Sequence, residues 1–303
     1  MIHIIIFSFN RAMQLETLLR SICQHWSSTP HKVSVLYNTT KEAYQKGYEV
    51  LAAEYSHVEF IKETSRPHRY HLRDYLHPYN WLKMLRSPHV RQQKSNFRDL
   101  LNESLRHSEC NYTMFLTDDS AFFADVCLTK EQLAFIDEDP SQNQISLRLG
   151  TDNVQKPESI HPTDDGTLRW RFDEHRDALS WGYNFSVDAH IYSTALLRQL
   201  LSRIIYCNPT TLEAHINDYV QKTHRMNHGL AFEHPVILSY PINMVQQIAE
   251  NESLGVSEEG LNNKFLEGYR LEYPAIDYPK LFQIYPEKLI LRKGDDVIEL
   301  STR

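Results

Sequence analysis

The pattern of apolar and polar residues divides the first half of the chain into alternating strands and helices. A nearly continuous apolar run covers residues 3–9, as is typical of a strand buried on both faces. Apolar residues at helical spacing follow it, from Leu15 to Trp26. The alternation continues with predicted strands over residues 32–37, 58–61 and 112–116 and predicted helices over residues 44–55 and 97–105. This order predicts an α/β fold in which helices flank a mostly parallel sheet.

The second half of the chain is less regular. Its patterns predict strands over residues 144–150, 168–172 and 184–192, helices over 196–204 and 211–222, a sheet segment at 235–240 and a terminal hairpin over 289–300. In the strand over 184–192, Asp188 and His190 are expected to share one face, about 7 Å apart. The simplest partition is one domain over residues 1–250, with halves at 1–125 and 126–250, and a C-terminal helix-and-hairpin appendage over 251–303.

Composition and charge narrow the class of protein. Of the 303 residues 41% are hydrophobic, which is enough for a sizeable core. The net charge of −7 and the pI of about 6.1 argue against a nucleic-acid binder. The four cysteines form no C-x-x-C pair, so we predict buried free thiols. No run of 18 apolar residues occurs, and the N-terminal run lacks a basic flank, so we predict a cytoplasmic protein.

Polar residues follow three of the predicted parallel strands, at the edge where such sheets bind ligands. They are Asn10 and Arg11, Asn38 and Thr39, and Asp118 and Asp119. No glycine precedes Gly47, so the glycine-rich turns that bind phosphate in dinucleotide-binding folds and P-loops are absent here. Adjacent carboxylates can instead hold Mg²⁺ or Mn²⁺, which bind phosphate in turn. The alternative for the two aspartates is a turn or helix start, where aspartate is also favoured.

Three stretches in this order resemble the nucleotide-sugar half of GT-A glycosyltransferases of the broad family 2 group. They are IIIFSFNRAMQLETLLRSI, VSVLYNTT and NFRDLLNESLRHSECNYTMFLTDDS, and they cover about residues 1–125. The second half, with WGYNFSVDAHIYSTALLRQLL, resembles a poorly characterised bacterial branch. The resemblance implies a GT-A fold, a nucleotide-sugar donor, and an acidic motif that binds Mn²⁺ or Mg²⁺ and the donor diphosphate. That motif is Asp118, Asp119 and Ser120 here, where the family has Asp-x-Asp.

The resemblance also implies roles for individual residues of the donor site. The residues assigned to the nucleotide and its phosphates are Phe7, Ser8, Asn10, Arg11, Asn38 near the base or ribose, and Arg98 facing the phosphates. Asp118 would contact the ribose and contribute to the metal site, and Asp119 would bind the metal. For Arg11 and Arg98 the alternative is an ordinary surface charge at a helix end.

An inverting transfer needs a carboxylate that takes the proton of the acceptor hydroxyl. In the family this base usually follows the acceptor-side strand, at a helix start. Glu213 fits, because NPTT predicts a turn and a helix start near residue 210 or 211. Asp188 is the rival, with His190 beside it as a substrate or metal contact. Acids are favoured in a first helical turn for electrostatic reasons alone, and a buried, hydrogen-bonded histidine is common, so both ordinary interpretations stay open.

One segment departs from the acidic balance of the chain. Residues 62–98 contain three lysines and six arginines against Glu63 and Asp74, with four histidines and five aromatic residues interleaved. Local positive charge could hold the phosphate of a donor or of a lipid-linked acceptor, or contact a membrane surface peripherally. The alternative is a solvated loop with a partial helix.

Together these features predict a metal-assisted glycosyltransferase, inverting at the anomeric carbon, that moves a sugar from a nucleotide-sugar donor to a glycan or lipid-linked acceptor. Two alternatives stay open. One is a catalytically silent GT-A module that binds glycans or nucleotides. The other is a sugar nucleotidyltransferase, although such enzymes usually carry a glycine-rich basic loop that the segment FSFNRAM does not supply.

Overall fold

The computed structural model describes residues 1–26, 28–66, 70–86, 94–153, 155–243, 256–273 and 287–302. The helices are α1 (Ala12–His25), α2 (Glu42–Glu54), α3 (Leu72–Tyr75), α4 (Pro78–Arg86), α5 (Phe97–His107), α6 (Lys130–Glu138), α7 (Thr194–Arg203), α8 (Pro209–Lys222) and α9 (Glu258–Leu266). The strands are β1 (Ile2–Phe9), β2 (His31–Asn38), β3 (Glu59–Lys62), β4 (Tyr112–Thr117), β5 (Ser120–Phe122), β6 (Asn143–Ser146), β7 (Thr167–Arg171), β8 (His190–Ser193), β9 (His228–Phe232), β10 (Ile237–Ser239), β11 (Arg270–Leu271), β12 (Lys288–Lys293) and β13 (Asp296–Ser301).

The central sheet of the described chain has the strand order β3-β2-β1-β4-β8-β6-β9-β7. β1 pairs in parallel with β2 on one side and with β4 on the other, and β2 pairs in parallel with β3. β8 is antiparallel to both β4 and β6, while β6 and β9 are parallel. The predicted class, an α/β fold with a mostly parallel sheet flanked by helices, is confirmed.

The continuous apolar run of β1 is explained by helices on both faces of the sheet. Ile4 and Ile6 point into a core shared with α1 and α2. Ile5 and Phe7 point into a second core shared with α5, α7 and α8. Because residues alternate between two buried faces, every position from 2 to 8 is buried, and a period of two is not visible in the sequence.

Two predicted strands of the second half are wrong in extent. The strand over 184–192 is reduced to β8, which begins at His190, and the strand over 144–150 ends at Ser146. Ala189 has a left-handed backbone (φ 58°), which breaks the alternation that would have placed Asp188 and His190 on one face. Asp188 therefore lies in the loop that enters β8. The terminal hairpin is confirmed, with β12 and β13 joined at Gly294 (φ 56°).

The described part of the C-terminal segment packs on the first half of the chain. Leu261, Phe265, Leu289 and Leu291 belong to the same apolar core as β1 and α1. The domain boundary at 250 and 251 falls outside the described residues and stays a prediction. Within the described residues, none of the helices combines the length and the apolar character needed to span a bilayer.

Candidate functional site

Three strand ends converge where the strand order reverses. After β1 the chain adds β2 and β3 on one side, and then returns to place β4 on the other side. The point between β1 and β4 is therefore a topological switch point, where open α/β sheets bind their ligands. The backbone N–H of Asn10 donates to the carbonyl of Asn38 (3.2 Å), and that of Asp118 donates to the carbonyl of Phe7 (3.1 Å). The strand ends predicted to carry a site thus lie together.

Asp118 is the centre of a buried hydrogen-bond network at this point. Its Oδ2 accepts from the Ser8 hydroxyl (2.8 Å) and from the Phe9 N–H (3.1 Å), and its Oδ1 faces Nη1 of Arg11 (3.0 Å). Tyr48 extends the network, since its hydroxyl lies 2.6 Å from that of Ser8 and accepts the Arg11 N–H. Burial raises the pKa of the Asp118 carboxyl, and Arg11 acts against this by favouring the charged form.

Arg11 joins both aspartates to a distant part of the chain. Its Nη1 lies 3.0 Å from Asp118 and 3.3 Å from Asp119. Its Nε donates to Oδ1 of Asn243 (2.8 Å), and its Nη2 donates to the Asn243 carbonyl. Burial acts to lower the pKa of Arg11, but the two carboxylates outweigh burial and raise it. Arg11 is 8% exposed, so it is a buried clamp and not a surface charge at a helix end.

The turn between β1 and α1 is shaped by Asn10. Its backbone is left-handed (φ 58°), a region that asparagine tolerates better than most residues. Its side chain exchanges two hydrogen bonds with Thr40, at 2.9 Å each. Asn38 lies beside it at the end of β2, and its Oδ1 accepts from the Thr39 N–H (2.8 Å). These contacts hold the ends of β1 and β2 in register at the edge of the site.

The donor atoms of the pair fit a weakly held divalent cation. Both oxygens of Asp118 are occupied by Ser8, Phe9 and Arg11. Asp119 is partly exposed, and its Oδ1 makes no hydrogen bond with the described residues. No group of three or more acidic, histidine or cysteine ligands occurs in the described part of the chain. Asp119 therefore offers one carboxylate, and ligands from outside the protein would have to complete the shell that Mg²⁺ or Mn²⁺ requires.

A second pair of carboxylates lies next to the first. Asp188 accepts from the hydroxyl of Thr117 (3.0 Å), the residue before Asp118, and pairs with Nη1 of Arg148 (2.5 Å). Oε1 of Glu213 accepts from the Ser186 hydroxyl (2.9 Å) and from the Val187 N–H (3.0 Å). Since β8 is antiparallel to β4, the loop entering β8 reaches the edge where β4 ends. The two residues proposed as rival bases are therefore brought together at one place.

Glu213 has the electrostatic environment of a proton acceptor near neutral pH. Burial, and then the nearby charge of Asp188, raise the pKa of Glu213 to about 7. Its Oε2 makes no hydrogen bond with the described residues, whereas both oxygens of Asp188 have partners. α8 begins at Pro209, so Glu213 is the fifth helical residue and lies just beyond the predicted first turn. Its position is set by Ser186 and Val187, and not by the helix dipole alone.

Three of the predicted site residues, two from the donor site and His190 beside the rival base, are not brought to this group. The Phe7 ring is buried between Phe97 and Phe115, at centroid distances of 5.1 and 5.5 Å. Arg98 is 1% exposed and forms two 2.8 Å hydrogen bonds to Asp74, so the structure does not present it to a phosphate.

His190, the third of these residues, is buried, and its Nδ1 lies 2.9 Å from Oε1 of Gln144. The Gln144 amide donates to the carbonyls of Asn184 and Met226, so its oxygen accepts and His190 Nδ1 carries the proton. Burial, with Arg148, lowers the pKa of His190 to about 3. The ring is therefore neutral, and its contacts are those of a core histidine.

The sequence reasoning missed Arg148, Ser186 and Asn243. Arg148 could have been found, because polar residues at 144, 146 and 148 alternate with apolar ones and place it on the same side as Gln144. Asn243 carries no such signal, since it lies in a loop without periodicity, and the alternation over 184–192 predicts a strand at Ser186 but does not indicate its contact with Glu213.

No family model and no curated protein matches the sequence. Among solved structures, S. aureus TarS is similar at 16% identity and a TM-score of 0.44, covering 78% of this chain and 36% of its own. TarS 1–349 in complex with UDP is similar at 16% identity and a TM-score of 0.43, covering 78% of this chain and 59% of its own. The mannosyltransferase PcManGT from Pyrobaculum calidifontis, in complex with GDP-Man and Mn²⁺, has 16% identity and a TM-score of 0.36, covering 66% and 46%. This chain spans between 36% and 59% of the length of these proteins.

Proposed function

We propose that the chain is a nucleotide-sugar-dependent glycosyltransferase. The observation that carries the proposal is that two pairs of carboxylates lie together at the switch point of the sheet. Thr117 links them, because it precedes Asp118 in the chain and its hydroxyl donates to Asp188. The first pair, Asp118 and Asp119 with Arg11, suits the binding of the diphosphate group of a nucleotide. The other, Glu213 and Asp188, suits proton transfer. A transferase of this kind needs both functions within reach of one anomeric carbon.

The residues divide between donor and acceptor. Ser8, Asn10 and Asn38 border the place where a nucleoside would lie, at the ends of β1 and β2. Glu213 would take the proton of an acceptor hydroxyl while the hydroxyl oxygen attacks the anomeric carbon and the nucleoside diphosphate leaves. A pKa near the working pH favours this role for Glu213, since a base is most effective there.

A divalent cation on Asp119 would stabilise the charge of the leaving diphosphate as a Lewis acid. Arg11 would keep Asp118 and Asp119 in place, because its guanidinium contacts both carboxylates and is itself held by Asn243.

The test is binding followed by turnover. We expect a panel of nucleoside diphosphates, titrated by calorimetry with Mn²⁺ present, to reveal one or two that bind. The matching nucleotide sugars should then release the nucleoside diphosphate slowly to water, and faster with glycan or lipid-linked acceptors. Absence of binding by every nucleotide would overturn the proposal.

One observation favours a second candidate function, a catalytically silent module that binds nucleotides or glycans. Arg11 already neutralises part of the charge of Asp118 and Asp119, which leaves a single carboxylate oxygen for a cation. Nucleotide binding without any donor hydrolysis or transfer, over the full acceptor panel, would select this candidate.

The pH dependence of transfer should report Glu213. Because its pKa is raised from 4.5 to about 7, the carboxylate is lost as the pH falls below 7, and kcat/KM should fall with it. The same shift affects stability. A raised folded-state pKa contributes stability that is present below about pH 4.5 and lost as the pH rises through 7.

Urea unfolding of the wild type and of Glu213→Gln between pH 5 and pH 8 checks the raised pKa of Glu213. The variant cannot titrate at this position, so its stability relative to the wild type should rise between pH 5 and pH 8, by on the order of 1 to 3 kcal/mol. A constant difference between the two proteins would contradict the shifted pKa.

A further inference from the structure

The short helices α3 and α4 carry an exposed apolar surface. Of the eleven large apolar side chains that are exposed among the described residues, six lie between residues 72 and 85. They are Leu72, Tyr75, Leu76, Trp81, Leu82 and Leu85. Leu72, Leu76 and Leu85 are 79%, 76% and 72% exposed. We call these six side chains the α3–α4 face. Monomeric proteins rarely leave so many adjacent large apolar side chains in water unless the surface binds something.

The two helices differ from an ordinary surface helix, because one polar residue of each, Asp74 in α3 and Asn80 in α4, is buried against the protein. Asp74 is fully buried and receives both ends of the Arg98 guanidinium at 2.8 Å. Asn80 is also fully buried, and its amide donates to the carbonyls of Asp74 (3.2 Å) and Arg203 (2.8 Å). Its oxygen accepts from the Ile205 N–H (3.2 Å). These bonds fix the helices with the apolar side chains outward.

The α3–α4 face is continuous and firmly attached. Nε1 of Trp81 donates to the carbonyl of Tyr75, which brings the indole of α4 over the end of α3. On the protein side, the Tyr79 hydroxyl shares its one proton between the His215 carbonyl (2.7 Å) and Oδ2 of Asp218 (2.8 Å). The surface is therefore mounted on α8 and is not a loosely attached loop.

The charge around the α3–α4 face is positive. Arg73 and Arg86 are exposed, and neither forms an ion pair with the described residues. The one acid between residues 70 and 86, Asp74, is neutralised by Arg98 inside the protein. A partner of this surface must therefore be apolar and negatively charged at its border.

We propose that the α3–α4 face is a peripheral binding surface for an anionic lipid bilayer. Leucine, tryptophan and tyrosine side chains bordered by arginine are the composition of helices that lie in the membrane interface. A second copy of the chain would place Arg73 and Arg86 against their own equivalents, and like charges oppose such pairing. The net charge of −7 also means that anionic lipid repels most of the molecule, so only this face should bind.

Sedimentation with vesicles tests the proposal. Vesicles of phosphatidylcholine containing phosphatidylglycerol should bind the protein, and pure phosphatidylcholine vesicles should bind it weakly. Trp81 supplies a site-specific signal, because Trp26, Trp170 and Trp181 are buried. Binding should shift the tryptophan emission to shorter wavelength, and Trp81→Phe should abolish the shift.

Two double variants separate the apolar and the charge contributions. Leu76→Glu with Leu85→Glu should weaken vesicle binding by at least about tenfold, since both side chains would carry charge into the interface. Leu179→Glu with Leu266→Glu is the matched control, since these leucines are exposed outside the α3–α4 face. Arg73→Gln with Arg86→Gln should weaken binding to anionic vesicles by about fivefold for each arginine. Arg106→Gln with Arg176→Gln is the control for that pair.

Other outcomes would overturn the proposal. They are absence of vesicle binding by the wild type, or equal binding by Leu76→Glu with Leu85→Glu. A dimer of the wild type that this variant dissociates, without vesicle binding, would assign the α3–α4 face to contact between copies. Circular dichroism of each variant shows whether a loss of binding comes from unfolding.

Discussion

Replacing Glu213 by glutamine is expected to slow sugar transfer by about 10²- to 10⁴-fold, with little change in nucleotide binding. The amide can still accept from Ser186 and Val187, so the local structure should persist, but it cannot take a proton. The loss should therefore appear in kcat and not in the dissociation constant of the nucleoside diphosphate. Single-turnover transfer and calorimetry on the same preparation measure the two quantities.

Asp188→Asn and Glu131→Gln are the comparison variants. Asp188 has both oxygens engaged by Thr117 and Arg148, so its variant should lose less activity than that of Glu213. Glu131 lies in the first turn of α6 and is exposed, so it reproduces an acid at a helix start without the candidate site. Full turnover by Glu213→Gln together with a severe loss in Asp188→Asn would transfer the role of base to Asp188.

Nucleotide binding should depend on a divalent cation, and Asp119→Asn should remove that dependence together with most of the affinity. The cation is expected to rest on one protein carboxylate, so a chelator should release it readily. Calorimetry of the nucleoside diphosphate with Mn²⁺, with Mg²⁺ and with chelator measures this for wild type and variant. Tight binding that is indifferent to both the metal and the substitution would restrict the two aspartates to a structural role.

Asp164→Asn is the matched control, because Asp164 is exposed in a turn outside the candidate site. Asp118→Asn is a less suitable test of metal-dependent nucleotide binding than Asp119→Asn. Asp118 is 3% exposed and holds Arg11. Its replacement leaves a buried guanidinium partly unpaired, so a loss of nucleotide binding in that variant must be compared with its loss of stability.

The parallel half of the fold could be predicted from the sequence because its signals are local. An apolar run buried on both faces, followed by a helical stripe, identifies each strand and helix without knowledge of its neighbours. The gathering of Asn10, Asn38 and Asp118 at one edge then follows from parallel pairing alone. The position of Asp188 could not be predicted, because one left-handed residue, Ala189, cancels the alternation of its segment.

Partners that meet only through tertiary structure left no sequence signal. Arg98 has the position of a phosphate ligand in the resemblance, yet Asp74, 24 residues earlier, holds it inside the protein. Arg11 is held by Asn243, 232 residues away, in a segment without periodicity. Pairings of this kind depend on which loops reach the same edge of the sheet, and that information is spread over the whole fold.

The hydrogen bond from Ser8 to Asp118 spans 110 residues, and this distance has a consequence for how the protein reaches its native state. Closing a loop of that length costs about 4 kcal/mol of chain entropy before any contact compensates for it. Local pairs such as β12 and β13 form without this cost, so the β1–β4 pairing belongs to the slow part of folding. The candidate site is assembled from that pairing, and recovered nucleotide binding after denaturation should therefore report the last step of refolding.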